Sequence, residues 1–128
     1  MADSEKMTIN VSVVDLGKID LLVEEGFYSN RTDFIRTGIR NQLDKHTEEV
    51  KQSVTRKTMV VGVVTYGRNS LEKRQAAGEK VSAWVVGSLV IADDVSVELA
   101  LDTIESIKVY GVIKANKKIK DALADRIL

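Results

Sequence analysis

The chain has 128 residues, with 19 lysines and arginines against 19 aspartates and glutamates, and neither cysteine nor proline. A hydrophobic content of 44% and a charged content of 30% suit one compact domain or two small ones and exclude a wholly disordered chain. Lack of cysteine excludes disulfides, thiolate metal sites and cysteine nucleophiles, and the even charge balance excludes bulk attraction to polyanions: residues 1–57 carry nine basic and ten acidic side chains, residues 58–128 ten and nine.

In chain order, the first patterned segment is Lys6-Met7-Thr8-Ile9-Asn10-Val11-Ser12-Val13. Polar and apolar residues alternate with period two, the pattern of a half-buried strand with Met7, Ile9, Val11 and Val13 on one face. A lone strand is not stable, and no second strand follows before residue 58, so its partner is expected to be the same strand of a second chain.

Next, Leu16, Ile19, Leu22 and Val23 share one helical face, with Ser12 or Asp15 as the cap and Gly26 where a helix end wants a left-handed residue. Phe27 and Tyr28 lead to a second helix, with Phe34, Ile35, Ile39, Leu43 and Val50 near one face and an expected end near residue 52. Asn30 with Asp33 makes a capping-box pattern, with Ser29 as the competing cap. Arg36 and Arg40, four apart, read as solvated surface or as ion pairs within a dimer. Gly38 in mid-helix fits either close approach of a second helix or simple tolerance, and His46 reads as helix surface.

The order of strand, helix, glycine-aromatic turn and a helix opening Ser29-Asn30-Arg31-Thr32-Asp33-Phe34-Ile35-Arg36 resembles the ribbon-helix-helix family of DNA-binding regulators. The resemblance covers roughly residues 6–46, and Gly26 to Arg36 is its most specific part. It implies an intertwined homodimer whose paired N-terminal strands form an antiparallel ribbon that enters the DNA major groove. Lys6, Thr8 and Asn10, on the face of the strand away from the core, would then read bases: lysine donates to guanine O6 and N7, asparagine pairs with adenine N6 and N7, and threonine donates, accepts or touches a thymine methyl. The bland rival is that this face is the solvated side of an edge strand. Ser29, Asn30 and Arg31 would contact phosphate through the unpaired amides and dipole of the second helix. Unlike many members of the family, the chain has no proline after the strand; Ser12-Val13-Val14 stands there.

Residues 51–58, Lys-Gln-Ser-Val-Thr-Arg-Lys-Thr, lack apolar periodicity and read as a linker between a domain of residues 1–50 and one of residues 59–128. Beyond it, Val60-Val61-Gly62-Val63-Val64, Val85-Val86-Gly87-Ser88-Leu89-Val90-Ile91 and Val109-Tyr110-Gly111-Val112-Ile113 recur at spacings of 25 and 24 residues. Helical patterns follow each run, at 69–80, 96–105 and 116–128. Such a period predicts stacked β–α units with parallel strands joined by right-handed crossovers, and unpaired edges that invite self-association. Trp84 reads as core or interface.

Chemistry is hard to find in this half. Nickel-responsive members of the resembled family place metal ligands in their C-terminal domain, but residues 58–128 contain neither histidine nor cysteine, so no cofactor is expected. Gly67-Arg68-Asn69-Ser70 reads as a turn and cap rather than an anion site, and Asp93-Asp94 likewise. Lys114, Lys117, Lys118 and Lys120 read as solvated helix surface. No catalytic fingerprint is present, so the chain is not expected to be an enzyme. The longest apolar run is about five residues, too short for a membrane helix, and the expected location is cytoplasmic.

The expected fold class is α+β, a ribbon-helix-helix followed by a small β–α repeat unit. The expected function is a sequence-specific, prokaryotic transcriptional repressor that binds a double-stranded operator as a homodimer, or as a tetramer or larger assembly built through residues 59–128. The alternatives are the antitoxin of a toxin–antitoxin pair and a self-assembling scaffold that binds no DNA.

Overall fold

In a computed structural model, residues 4–128 are described, and the chain divides between Glu48 and Glu49 into two compact units. The fold is α+β, with a three-stranded parallel sheet confined to the second unit.

In the first unit, residues 4–12 form neither helix nor paired strand within the single chain. The alternating run expected to continue through Val13 stops sooner, because α1 starts at that residue (Val13–Glu24). Ser12 turns the chain: its hydroxyl accepts a 3.1 Å bond from the Asp15 amide and caps the helix, while Asp15 sits in the first turn. At the other end Gly26 has φ +87°, and the Gly26 and Phe27 amides donate to the Val23 and Leu22 carbonyls. These are the paired bonds that close a helix on a left-handed glycine. The rim of the turn is held where Tyr28 meets Phe34 edge to face, ring centroids 5.0 Å apart.

Helix α2 (Arg31–Asp44) ends eight residues before the expected end near 52. Two turn residues, Lys45 and His46, separate it from α3 (Thr47–Arg56). The run Asp44-Lys45-His46-Thr47 offers no apolar side chain to bury, and the Thr47 hydroxyl takes one of the freed carbonyls, that of Asp44, at 2.9 Å. The linker expected at 51–58 is helical as far as Arg56. Val50 and Val54, one turn apart, give that stretch a face that an eight-residue window obscures.

The second unit continues β1 (Val60–Tyr66), α4 (Arg68–Ala76), β2 (Val81–Ile91), α5 (Val97–Thr103), β3 (Ile104–Lys114) and α6 (Lys117–Ala122), followed by a 3₁₀ turn at Ala124–Arg126. Strand order follows chain order, and all pairings are parallel. Sequential parallel strands with right-handed crossovers place every connecting helix on one face. The core agrees: Leu71 of α4, Leu99 and Ala100 of α5, Ile119 of α6 and Leu123 just after it pack with Val81, Ala83, Val85, Leu89 and Ile91 of β2 and with Ile104 and Ile107 of β3.

Register sets Gly62 beside Gly87 and Gly87 beside Gly111. All three have φ between +130° and +135°, a region open only to glycine. A methyl group on Gly87 would lie 2.1 Å from the Gly62 carbonyl oxygen, and one on Gly111 would lie 1.9 Å from that of Gly87. The recurring glycines therefore have a mechanical cause: all three hold a backbone angle that other residues avoid, and Gly87 and Gly111 also let their strands approach the preceding one.

Strands β2 and β3 are longer than the apolar runs that suggested them, beginning at Val81 and Ile104. The helical pattern of 116–128 is helix only to Ala122. Ile127 then bridges to Ile107, the Leu128 amide donates to the Ile107 carbonyl, and Arg126 donates to the Leu101 and Ile104 carbonyls. Trp84 lies within β2 and is partly exposed rather than in the core, with the Lys57 ammonium 5.5 Å from its ring centre.

Candidate nucleic-acid interface

The first unit buries almost nothing on its own. Of its described residues, Ile19 alone is a buried hydrophobic. Met7, Ile9 and Val11 of the extended segment are exposed, as are Val13, Val14, Leu21 and Phe27 and the α2 stripe Ile35, Ile39 and Leu43. Fewer than fifty residues with so small a core fall short of what a lone fold needs.

Lys6, Thr8 and Asn10 are exposed, as are Met7, Ile9 and Val11, with which they alternate in sequence. Their backbone is the part that lacks a pairing strand. Ser29, Asn30 and Arg31 sit at the start of α2. Asn30 is the cap: its side-chain oxygen accepts the Asp33 amide at 2.8 Å, while the Ser29 amide donates to the Asp33 carboxylate at 3.0 Å. Asn30 thus wins over Ser29 because its side chain reaches the third helical amide, and the side chains of Asn30 and Asp33 are both occupied in the cap.

Arg31 has a partner within the chain. Its guanidinium grips Asp20 of α1 in a two-pronged pair, Nε to Oδ1 at 2.7 Å and Nη2 to Oδ2 at 2.8 Å. Hydrogen bonding to Arg31, aided by its charge, holds the Asp20 carboxyl below its usual range, and the same pair raises Arg31. Arg31 is therefore engaged in tying α2 to α1.

Positive charge near the helix start comes instead from Arg36 and Arg40. With Ser29, Asn30, Thr32, Asp33 and Thr37 they line an open groove of about 390 Å³. Sequence patterning reads both arginines as solvated surface or as ion pairs within a dimer. The signal that could have found the groove is the polar stripe 29, 32–33, 36–37, 40, which runs opposite Ile35, Ile39 and Leu43 at helical spacing. Lys6, Thr8 and Asn10 are not among its lining residues.

In the second unit, the turn Gly67 to Ser70 is occupied internally. The Arg68 amide donates to the Asp94 carboxylate at 3.2 Å, and Ser70 closes back on Gly67. Asp94 therefore caps α4, while Ser96 caps α5 through the Leu99 amide. Arg68 also pairs with Glu72. A carboxylate already fills the position an anion would take.

Comparison with known proteins gives this geometry a context. Residues 2–120 match the Ribbon-Helix-Helix transcriptional regulator family. The chain belongs to that family. The match reaches well past the ribbon-helix-helix segment itself and takes in the parallel sheet of the second unit. Among curated proteins, a ribbon-helix-helix-sized stretch of 45 residues is 29% identical to the transcriptional regulator CdrS of Halobacterium salinarum, covering 35% of this chain and 82% of that protein. No solved structure matches. Ribbon-helix-helix regulators bind DNA and act as dimers, and the family is one of regulators rather than enzymes. Among the described residues no helix is long and apolar enough to cross a membrane, and no cluster of three or more His, Asp or Glu side chains is placed to hold a metal ion.

Proposed function

We propose that the chain is a sequence-specific transcriptional repressor of the cytoplasm, a homodimer that reads a double-stranded operator with a ribbon made from residues 6–11 of each chain. The carrying observation is the unburied apolar surface of residues 4–48: Met7, Ile9 and Val11 together with Ile35, Ile39 and Leu43 require a second chain to form a core. Pairing the two extended segments satisfies their backbone groups and turns Lys6, Thr8 and Asn10 outward, where a two-stranded ribbon fits the major groove.

Phosphate is held at the start of α2, by the free amides of its first turn and by Arg36 and Arg40 along the groove. Ser29 and Asn30 shape that start, and Arg31 fixes its angle to α1 through Asp20. The domain of residues 1–50 thus binds DNA and dimerises, and residues 59–128 carry oligomerisation, so that dimers on adjacent sites reinforce each other.

Selection of bound duplexes from random DNA by the purified full chain should recover a palindrome whose half-sites report the dimer. Asn10→Ala should then weaken binding to that sequence by about 2–6 kcal/mol, since each symmetric half-site loses a contact of about 1–3 kcal/mol, with the dimer mass unchanged. Recovery of no common sequence would remove the base-reading claim.

A further inference from the structure

Helices α4, α5 and α6 all pack on one face of the sheet. The opposite face is assembled by the strand register. Val61, Val86 and Tyr110 form one row across it, and Val63, Ser88 and Val112 the next. Every residue in these two rows is uncharged. Parallel sheets occur almost only with both faces covered, yet here Val61 is 64% exposed, Val63 56% and Tyr110 44%. Helix α3 only borders this face: its residues Val50 and Val54, with Lys57 and Met59, line an open cleft of about 350 Å³ beside Val86 and Tyr110. At the centre of the second row the Ser88 hydroxyl is enclosed and finds no hydrogen-bond partner among the described residues, a condition that native interiors avoid.

We propose that this open face packs against the same face of a second copy of the chain. The two rows carry no charge of their own, and the Lys108 ammonium that stands over the Tyr110 ring, 5.1 Å from its centre, belongs to the flanking row with Trp84. The rim is self-complementary as well: Glu49 and Lys57 stand at opposite ends of the α3 border, so a two-fold arrangement sets the Glu49 end of one helix against the Lys57 end of the other. A second copy is also the nearest available occupant. Dimerisation through residues 4–48, the reading on which this inference rests, holds another sheet at an effective concentration of order mM. The contact gives residues 59–128 their part in assembly.

The chain has no cysteine, so single cysteines report the contact in the full-length protein. Val61→Cys and Val63→Cys sit on the open face, Lys73→Cys on exposed α4 is the control, and Thr8→Cys, on the outward side of the ribbon, tests the ribbon. Each is treated with a short bis-maleimide and run on a denaturing gel, after circular dichroism has shown that the variant is folded. Val61→Cys and Val63→Cys should give about tenfold more covalent dimer than Lys73→Cys, and adding Tyr110→Glu to Val63→Cys should abolish the excess. Light scattering then tells two copies from four, and either mass fits a face-to-face contact. If Thr8→Cys cross-links while both face cysteines match the control, the ribbon dimer stands and the face proposal fails. If the face cysteines cross-link and Thr8→Cys does not, the face contact stands and the ribbon dimer fails. Excess cross-linking that survives Tyr110→Glu would place the contact elsewhere and overturn the proposal.

Discussion

At the scale of single residues, the glycine row is the firmest link between sequence and form. Gly87 and Gly111 are each glycine for two reasons, a φ near +130° and a neighbouring carbonyl where a methyl group would stand. Gly62 has the first reason only, since nothing lies within 4 Å of its missing Cβ. Gly87→Ala and Gly111→Ala should each cost about 3 kcal/mol or more, and Gly62→Ala about 1–3 kcal/mol from backbone strain alone. Denaturant midpoints at an unchanged m-value check the order. The arginines divide in a similar way. Arg36→Ala removes a cation from the groove at α2 of each chain and should lower affinity for all DNA sequences, reducing the salt slope by about two, one per chain of the dimer. Arg31→Ala should leave that slope unchanged, because its guanidinium is committed to Asp20. Affinity measured across a salt series separates the two, and equal slopes for both variants would return Arg31 to the phosphate-contacting set.

At the scale of elements, local signals were legible where one residue type has one mechanical use. Gly26 closes α1, Asn30 opens α2, and glycines spaced 25 and 24 residues apart marked the strand register. What sequence patterning could not reach depends on a balance of weak terms. The break at Lys45 and His46 involves neither glycine nor proline, and only the lack of anything to bury and the Thr47 bond to Asp44 favour it. The helicity of 51–56 rests on two valines. The early start of β3 comes from tertiary pairing of Ile104 with Val81, which no local window contains. The end of α3 shows what happens without the expected residue: Thr58 takes φ +53°, while the Thr58 and Met59 amides donate to the Thr55 and Val54 carbonyls. That is the closure Gly26 gives α1, made by a β-branched residue in a region that costs it about 1–2 kcal/mol. Thr58→Gly should therefore stabilise the second unit by about 1 kcal/mol, after allowing for glycine's greater freedom when unfolded. A lowered denaturant midpoint for Thr58→Gly would show that the threonine side chain holds the turn.

At the scale of the whole molecule, the two units have unequal claims to stability. Residues 71–123 supply a continuous core within one chain, whereas residues 4–48 bury only Ile19 and leave an apolar helix stripe in solvent. Mass action should therefore act on them unequally. A hundredfold dilution costs a fold that needs two chains about 2.7 kcal/mol, and a fold complete in one chain nothing. Neutral charge works in the same direction: with 19 cations against 19 anions, non-specific DNA offers little electrostatic support to offset dilution. Hydrogen exchange read by mass spectrometry at two concentrations a hundredfold apart, spanning the dimer's dissociation, tests this directly. Peptides from α1 and α2 should lose protection on dilution, while β2 peptides, whose amides are bonded within the sheet of one chain, should keep most of theirs. Protection in α1 and α2 that is indifferent to concentration would mean that residues 4–48 fold alone despite their exposed stripe, and the ribbon would then lose its physical reason to form.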